Sequence, residues 1–176
     1  MTFQEKVDWI FKQHRSTNHY YDKYLPYEFH LNMVAKVCED FSYLISSSQK
    51  ETVKLAAYGH DLIEDTRTSY NDVKEVLGEE VANIIYAVSN EKGKNRKERA
   101  NEAYYKGIRA IPFAVYVKLC DRIANVQYSK LTKSRMFEMY RDENADFIIR
   151  LGFSEGSSAA PFATQVFNHL KDLLNE

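Results

Sequence analysis

The sequence predicts an all-α protein that forms one domain. Apolar residues recur at helical spacing along most of the chain, and no alternating strand pattern persists. Only six Gly and three Pro interrupt 176 residues. A chain of this length usually makes one domain and can bury a real core. No internal repeat or shift in composition marks a boundary, so we expect residues 1–176 to form a single helical bundle.

The apolar spacing predicts each helix in turn. The first begins at Phe3 and ends between positions 12 and 18. Further helices are expected over 29–45, 50–65, 69–78, 81–88, 98–108, 113–126, 137–151 and 161–174. Ser69 with Asp72 resembles a capping box, and a proline opens each of the helices near 113 and 161. The segments 16–26, 46–49, 92–99 and 152–160 are predicted loops, of which 152–160 is Gly/Ser-rich and flexible.

Charge and composition exclude several classes of partner. The formal net charge is −1, so no overall field attracts nucleic acid or an anionic membrane. The chain has neither a signal-peptide core nor an apolar run long enough to span a bilayer. Cys38 and Cys120 lie in apolar helical patterns, which favours free, buried thiols in a reducing compartment. We therefore expect a soluble cytoplasmic protein.

The most informative stretch is 60–66, with the sequence HDLIEDT. In a continuous helix His60 would share a face with Glu64, and Asp61 with Asp65. Carboxylates at the C-terminal end of a helix each cost about 0.3–1 kcal/mol, and these three also repel one another. A divalent cation would reverse the sign of the arrangement. The stretch therefore indicates a metal site.

Two residues elsewhere in the chain could complete the ligand set. His30 begins the second predicted helix, and Asp121 lies in a helix that is apolar on most sides. A buried carboxylate needs a partner. Together with His60 and Asp61 they supply two nitrogens and two oxygens, which suits a six-coordinate Mn²⁺, Fe²⁺ or similar ion. Mn²⁺ is the expected ion, with Fe²⁺, Mg²⁺ and Zn²⁺ as alternatives. Such an ion makes a nucleophile of water by lowering its pKa.

These motifs carry a resemblance to a known family. The order His, His-Asp, Asp resembles the HD-domain metal phosphohydrolases. The strings PYEFH at 26–30, HDLIEDT at 60–66 and KLCDRIAN at 118–125 resemble the hydrolase domain of RelA/SpoT-type enzymes and the single-domain alarmone hydrolases. The resemblance is strongest over about residues 5–150 and leaves out the C-terminal helix at 161–176. It implies an HD-domain bundle that removes pyrophosphate from the 3′ position of guanosine tetra- or pentaphosphate.

The resemblance also implies a role for each site residue. The implied metal ligands are His30, His60, Asp61 and Asp121. Glu64 and Asp65 would position or deprotonate the attacking water. Asn125 and Arg15 would contact the nucleotide substrate. The resemblance leaves the oligomeric state open.

One departure from the family pattern keeps other functions open. The family's Arg-Lys pair, which packs on guanine, is replaced by Asn18-His19-Tyr20-Tyr21, and Leu31 replaces a proline after the first metal His. The enzyme could therefore hydrolyse another nucleotide, such as a deoxynucleotide or a nicotinamide dinucleotide phosphate. A metal-holding nucleotide sensor without turnover is a further alternative, although the retained Glu64-Asp65 pair favours hydrolysis. The basic run 92–99 is either a solvated loop or a clamp on substrate phosphates.

Overall fold

The computed structural model describes residues 1–89, 94–154 and 157–175. Its α-helices are α1 Phe3–Arg15, α2 Glu28–Asp40, α3 Lys50–Gly59, α4 Leu62–Asp65, α5 Tyr70–Leu77, α6 Glu79–Val88, α7 Arg96–Arg99, α8 Glu102–Arg109, α9 Pro112–Leu131, α10 Met136–Arg150 and α11 Thr164–Asn175. Short 3₁₀ helices cover Ser42–Leu44 and Pro161–Ala163, and the strands are β1 Tyr20–Tyr21, β2 Leu25–Pro26, β3 Phe153–Ser154 and β4 Ser157–Ser158. The all-α prediction is confirmed.

The long helix α9 lies at the centre of the bundle. It packs against α2, α3, α6, α8, α10 and α11. Most of its residues between Ala114 and Val126 are buried, so this helix is apolar on nearly every side. Asp121 and Arg122 are the exceptions, because both are charged and both are only 8 % exposed. A polar pair inside an otherwise apolar helix needs partners, and its partners lie at the site described below.

Local sequence signals account for several helix ends. Thr2 and Glu5 form a reciprocal capping box at the start of α1, and Ser69 and Asp72 form the predicted one at the start of α5. Gly78 ends α5 with φ +97°, a left-handed conformation that glycine adopts without strain. At Thr2 and Ser69 a side chain thus satisfies free backbone groups at the start of a helix, whereas at Gly78 the positive φ ends one.

The predicted helix over 50–65 is wrong as one continuous element. It is interrupted at His60 and Asp61, so that α3 ends at Gly59 and α4 begins at Leu62. Nδ1 of His60 lies 2.9 Å from the carbonyl oxygen of Ala57. In a continuous helix that carbonyl would accept from the N–H of Asp61. The His60 imidazole thus contacts a carbonyl that a continuous helix would use for a backbone hydrogen bond, at the point where the chain turns.

The predicted loop over 16–26 contains a small antiparallel hairpin. Its two strands pair Tyr20 with Pro26 and Tyr21 with Leu25. Asn18 and Asp22 adopt positive φ of 51° and 55°, which Asn and Asp tolerate better than most residues. The strands are too short for an alternating pattern to register in the sequence.

Further boundaries differ from prediction. The α-helix expected over 29–45 ends at Asp40, and a separate 3₁₀ helix covers Ser42–Leu44. The helix expected over 98–108 is divided by Asn101, which caps α8 by accepting from the backbone N–H of Tyr104 at 3.0 Å. The helix α9 extends to Leu131, five residues beyond its predicted end. The predicted loop at 152–160 includes the strands β3 and β4, while its residues 155–156 lie outside the described part of the chain.

Cys38 and Cys120 are free and buried, as predicted. Within the described residues, no helix combines the length and apolar character needed to cross a bilayer.

Candidate metal centre

Three separate elements bring the predicted ligands together. His30 lies in the first turn of α2, His60 directly follows α3, and Asp121 lies in the middle of α9. One ligand atom from each of these three side chains lies within 4.8 Å of the others. Packing of α2, α3 and α9 against one another produces this arrangement, because each pair of these helices is in contact. The donor set of two imidazoles and a carboxylate is typical of a transition-metal site.

Asp61 completes the cluster. Its Oδ2 lies 2.9 Å from Nε2 of His60 and 3.8 Å from Nε2 of His30. Oδ1 of Asp121 lies 3.3 Å from Nε2 of His30 and 3.6 Å from Nε2 of His60. Asp61 thus contacts both imidazoles, although it is not one of the three residues whose ligand atoms all lie within 4.8 Å of one another. The structure brings all four predicted ligands close together.

The tautomer of His60 follows from its backbone contact. Because Nδ1 lies 2.9 Å from the Ala57 carbonyl oxygen, we assign the ring proton to Nδ1. In the neutral ring, Nε2 then presents a lone pair to the carboxylates of Asp61 and Asp121, 2.9 and 3.6 Å away. A lone pair that faces carboxylate oxygens is unfavourable unless a cation lies between them. The buried His60 side chain therefore fits a metal ligand.

Electrostatics at the cluster favour uptake of positive charge. Burial disfavours a charged imidazole, but the carboxylates of Asp61 and Asp121 outweigh it and raise the pKa of His60 well above its ordinary value. Burial alone would raise the pKa of Asp121, but Lys118 and the imidazoles hold it well below its ordinary value. The cluster thus binds a proton tightly in the absence of another cation, and a divalent ion would satisfy the same groups.

Lys118 is a member of the site that sequence analysis did not assign to it. Its Nζ donates to Oδ2 of Asp121 at 2.9 Å, one turn earlier on α9. Burial opposes a charged Lys118, yet Asp121, Tyr104 and Asp61 raise the Lys118 pKa well above its ordinary value. Lys118 therefore holds one oxygen of Asp121, which leaves the other oxygen directed toward the imidazoles. The i, i+3 spacing of the two residues was the signal available in the sequence.

Glu64 and Asp65 line the cleft beside the ligand cluster. Both belong to α4, the short turn that follows the break at His60. Burial, together with the charges of Asp61 and Glu64, raises the pKa of Asp65 to about 7. These acids lie in the first turn of α4 and not at the negative end of a long helix, so the helix-dipole argument made from the sequence does not apply. What remains of that argument is the mutual repulsion of three neighbouring carboxylates.

Tyr27 joins two of these carboxylates. It is 8 % exposed, its hydroxyl donates to Oδ2 of Asp61, and the same hydroxyl lies 3.4 Å from Oδ2 of Asp65. The Tyr27 ring stacks on His19 with a centroid separation of 3.8 Å. Burial and the two neighbouring acids raise the Tyr27 pKa far above its ordinary range, so the hydroxyl keeps its proton and acts as a donor.

The structure separates the two predicted substrate contacts. Asn125 lines the cleft, but its amide nitrogen donates to Oδ1 of Asp121 at 2.7 Å and its amide oxygen accepts from the Tyr21 hydroxyl at 2.9 Å. Arg15 lies elsewhere, with its guanidinium paired with Glu28 and its side chain 69 % exposed. Arg15 is thus not brought to the ligand cluster, and Asn125 is brought there as a neighbour of a ligand.

A cleft of about 580 Å³ opens from the ligand cluster. Its acidic side holds Asp61, Glu64, Asp65 and Asp121. The lining also includes the basic and aromatic side chains Arg99, Lys118, Arg122, Arg150, Tyr104, Tyr105, Tyr140 and Phe147. Two more acids line it beside these arginines, with Glu143 3.5 Å from Arg122 and Asp146 3.1 Å from Arg150. The guanidinium carbon of Arg122 lies over two rings, 3.9 Å from the Phe147 centroid and 4.8 Å from that of Tyr140. The volume is typical of small-molecule sites.

The charged segment 91–99, predicted as a loop, includes the short helix α7 and contributes to the cleft in part. Arg99 lines the cleft, whereas Lys92 lies outside the described residues.

Sequence comparison finds relatives with one recurring name. The chain is 38 % identical over 107 residues to the guanosine-3′,5′-bis(diphosphate) 3′-pyrophosphohydrolase of Aquifex aeolicus, covering 58 % of this chain and 14 % of that protein. It is 28 % identical over 123 residues to the guanosine-3′,5′-bis(diphosphate) 3′-pyrophosphohydrolase MESH1 of Danio rerio, covering 70 % and 66 %. The bifunctional (p)ppGpp synthase/hydrolase SpoT of Escherichia coli is 34 % identical over 79 residues, covering 42 % and 11 %. The chain thus spans less than two thirds of each relative's length.

No protein-family model matches the chain. Among solved structures, that of a metazoan SpoT ortholog that hydrolyses ppGpp superimposes with a TM-score of 0.73 at 21 % identity. The match covers 98 % of this chain and 93 % of that one, so it extends over the whole bundle. The chain therefore has the all-α HD-domain fold and resembles the guanosine-3′,5′-bis(diphosphate) 3′-pyrophosphohydrolases in sequence.

Proposed function

We propose that this chain is a divalent-metal-dependent phosphohydrolase that removes pyrophosphate from the 3′ position of guanosine tetra- or pentaphosphate. The observation that carries the proposal is the convergence of His30, His60 and Asp121, with ligand atoms within 4.8 Å of one another, beside the Glu64-Asp65 pair. The names of the relatives supply the nucleotide. The cleft supports it, because cationic and aromatic side chains line it together with the acids beside the ligand cluster.

Four side chains would hold the ion: His30, His60, Asp61 and Asp121. Two imidazoles and two carboxylates suit Mn²⁺, which we propose as the ion, and such a set leaves coordination positions open. A bound divalent ion supplies Lewis acidity, which lowers the pKa of water and polarises a phosphoryl oxygen. The assigned tautomer of His60 and the position of Lys118 on Asp121 both support this use of the cluster.

Glu64 and Asp65 would act on the attacking water. Both line the cleft beside the ligands, and Asp65 has a pKa of about 7, which suits a group that must accept a proton near neutral pH. The water oxygen forms a bond to the phosphorus attached to the ribose 3′ oxygen, and the bond between that phosphorus and the 3′ oxygen breaks. The 3′ oxygen takes up a proton, so guanosine tetraphosphate gives GDP and pyrophosphate.

The basic residues of the cleft would bind the substrate's phosphates. Arginine binds phosphate through paired hydrogen bonds, and a partly buried guanidinium loses less to solvent screening than an exposed one. Arg122 is 8 % exposed and is held between Tyr140 and Phe147. Arg150 is oriented by donating to the carbonyl oxygen of Ala100 at 2.8 Å. Both guanidinium groups are thus held in place at the cleft before any ligand arrives.

A different nucleotide is the second candidate substrate, and one observation favours it. The hairpin that replaces the family's Arg-Lys pair directs aromatic rings inward, where His19 stacks on Tyr27 and Tyr21 stacks on His30. A guanine base would meet neither a guanidinium nor an ammonium group from these positions. A deoxynucleotide or a nicotinamide dinucleotide phosphate therefore stays in the set of substrates to be tested.

A nucleotide panel with a ligand variant tests the proposal. Wild-type protein with Mn²⁺ is incubated with guanosine tetraphosphate, deoxynucleoside triphosphates and a nicotinamide dinucleotide phosphate, and the released orthophosphate and pyrophosphate are measured. We expect pyrophosphate release to be fastest from guanosine tetraphosphate, and Asp61→Ala to abolish both bound Mn²⁺ and turnover. Faster hydrolysis of another nucleotide would establish the second candidate. Undiminished turnover by Asp61→Ala would contradict the metal-dependent mechanism.

A further inference from the structure

Tyr21 of β1 touches the ligand cluster at two points. Its ring stacks on the His30 imidazole, with centroids 4.7 Å apart and planes inclined by 7°. Its hydroxyl donates to the amide oxygen of Asn125 at 2.9 Å, and the amide nitrogen of Asn125 donates to Oδ1 of Asp121 at 2.7 Å. One side chain from the hairpin therefore contacts one ligand directly and reaches a second through a single intermediate.

The contact with His30 supplies an orientation that a hydrogen bond usually provides. A metal-bound histidine normally donates its second ring N–H to a carbonyl or carboxylate, which fixes the rotation of the ring. His60 follows this rule through Ala57. Nδ1 of His30 is buried and has no hydrogen-bond partner in the described residues. The nearly parallel Tyr21 ring lies against the face of the His30 imidazole and restricts its rotation instead.

The contact with Asn125 fixes a second ligand. Asn125 can donate to Oδ1 of Asp121 only when its amide nitrogen points toward that carboxylate. The Tyr21 hydroxyl, as a donor, requires the amide oxygen on its own side and so selects this orientation. A tyrosine hydroxyl is protonated near neutral pH, so it is available as the donor. Asn125 then meets one oxygen of Asp121 while Lys118 meets the other.

We propose that Tyr21 is a positioning residue of the metal centre, orienting the His30 ring by stacking and the Asp121 carboxylate through Asn125. The inference rests on the proposed function, since it takes the cluster to be a metal site. The inference gives a role to the β1–β2 hairpin, which occupies the position of the Arg-Lys pair in the alarmone hydrolases that the sequence resembles. Tyr21 acts on ligand geometry and does not itself contact the ion.

Mn²⁺ affinity of substituted proteins tests the inference without substrate. Free Mn²⁺ is titrated with protein and followed by its electron paramagnetic resonance signal, and thermal unfolding is measured in parallel. Tyr21→Phe keeps the ring and removes the hydroxyl, whereas Tyr21→Leu removes both contacts. Loss of an outer-shell partner typically weakens metal binding by about 10- to 100-fold. We expect Tyr21→Phe to lie near the lower end of this range and Tyr21→Leu near the upper end.

Tyr70→Phe is the matched control. The Tyr70 hydroxyl also donates to an asparagine, Oδ1 of Asn83 at 2.7 Å, on the surface formed by α5 and α6. We expect the Mn²⁺ affinity of Tyr70→Phe to equal that of the wild type.

A double substitution that combines Tyr21→Phe with Asn125→Ala adds a readout that a general loss of stability would not produce. The Tyr21→Phe effect on affinity should largely disappear when Asn125 is already alanine, because both changes break one chain of hydrogen bonds.

The outcomes separate this inference from the proposed function. If the wild type binds Mn²⁺ and Tyr21→Phe and Tyr21→Leu bind it equally well, the positioning role is overturned while the metal-dependent function stands. Additive effects of Tyr21→Phe and Asn125→Ala on Mn²⁺ affinity would also overturn the proposed orientation of Asp121 through Asn125. Failure of the wild type to bind Mn²⁺ would overturn the metal centre and the positioning role with it.

Discussion

At the scale of single residues, two neighbouring aspartates have opposite environments. Asp61 contacts both imidazoles of the cluster, and although burial opposes its charge, His60 lowers the Asp61 pKa. Asp65 lies beyond the imidazoles, and burial with the nearby acids raises its pKa to about 7. Environments that separate the pKa values of two carboxylates also separate their roles. Asp61 suits a permanent ligand, and Asp65 suits a group that exchanges protons.

This difference gives a prediction for Asp65→Asn. The amide preserves the size of the side chain but cannot accept a proton, so we expect Mn²⁺ binding within a few-fold of wild type. The turnover number should fall by about 10²- to 10⁴-fold, the usual contribution of general acid–base catalysis. Steady-state kinetics on guanosine tetraphosphate, together with the Mn²⁺ titration, check both parts. A variant that retains wild-type turnover would remove Asp65 from the reaction.

The sequence pointed to four residues that the structure brings together, but not to the residues that support them. His30, His60, Asp61 and Asp121 lie in recognisable strings, and their imidazole and carboxylate groups are ligand types that a metal site uses. Tyr21 was not foreseen as a support, because a tyrosine in a polar segment has no periodic pattern to assign it. Its contact with Asn125 links positions 104 residues apart, which only the folded chain brings together.

At the scale of elements, the break between α3 and α4 determines what reaches the cleft. In a continuous helix, Glu64 and Asp65 would belong to the last turn of α3 and follow its direction. The break at His60 and Asp61 lets α4 turn, and both acids then line the cleft. Helical periodicity predicted the helix correctly as far as Gly59. It could not reveal the interruption, since the apolar pattern continues through it, while the structure shows His60 in contact with the Ala57 carbonyl at this point.

Close packing at the end of α3 gives a prediction for Gly59→Ala. A Cβ at this position would lie 2.7 Å from Cδ1 of Ile85 and 3.2 Å from Cδ1 of Leu62. Because Ile85 and Leu62 are fully buried, neither side chain can move aside freely. We expect the free energy of unfolding to fall by about 1–3 kcal/mol, the usual range for overpacking. Urea unfolding followed by circular dichroism measures it.

Gly107→Ala is the control for this substitution. Gly107 lies inside α8, and a Cβ there would meet no atom within 4 Å. Alanine is favoured over glycine in a helix interior by up to about 1 kcal/mol, so this variant should be slightly more stable than wild type. Equal effects of the two substitutions would show that packing around Gly59 is not the cause.

At the scale of the whole molecule, the bundle assembles one site from distant parts of the chain. The buried apolar residues form one cluster that extends from α1 to α11, with α9 at its centre. His30, His60 and Asp121 are separated by 30 and 61 positions, yet α2, α3 and α9 place them in contact. Helical periodicity was sufficient to predict the all-α class. Which helices touch depends on the packing of their apolar faces, and periodicity does not specify this.

The arginine and aromatic side chains that line the cleft were the least predictable part of the site. Arg122 follows a predicted ligand directly, but its position between Tyr140 and Phe147 depends on how α10 packs on α9. Arg150 and Ala100 meet across 50 residues. The residues of the proposed metal centre were predictable because only a few residue types serve as metal ligands. Phosphate and base contacts can be made by many side chains, and their identity emerges only with the tertiary structure.

The most direct measurement is the identity of the products formed from guanosine tetraphosphate. Wild-type protein is incubated with the nucleotide and Mn²⁺, and the products are separated by anion-exchange chromatography, with an excess of chelator as the control. The metal centre and the proposed direction of attack predict equal amounts of GDP and pyrophosphate, and no products when the ion is chelated. Release of two orthophosphates in place of pyrophosphate, or hydrolysis that continues with chelator present, would contradict the account.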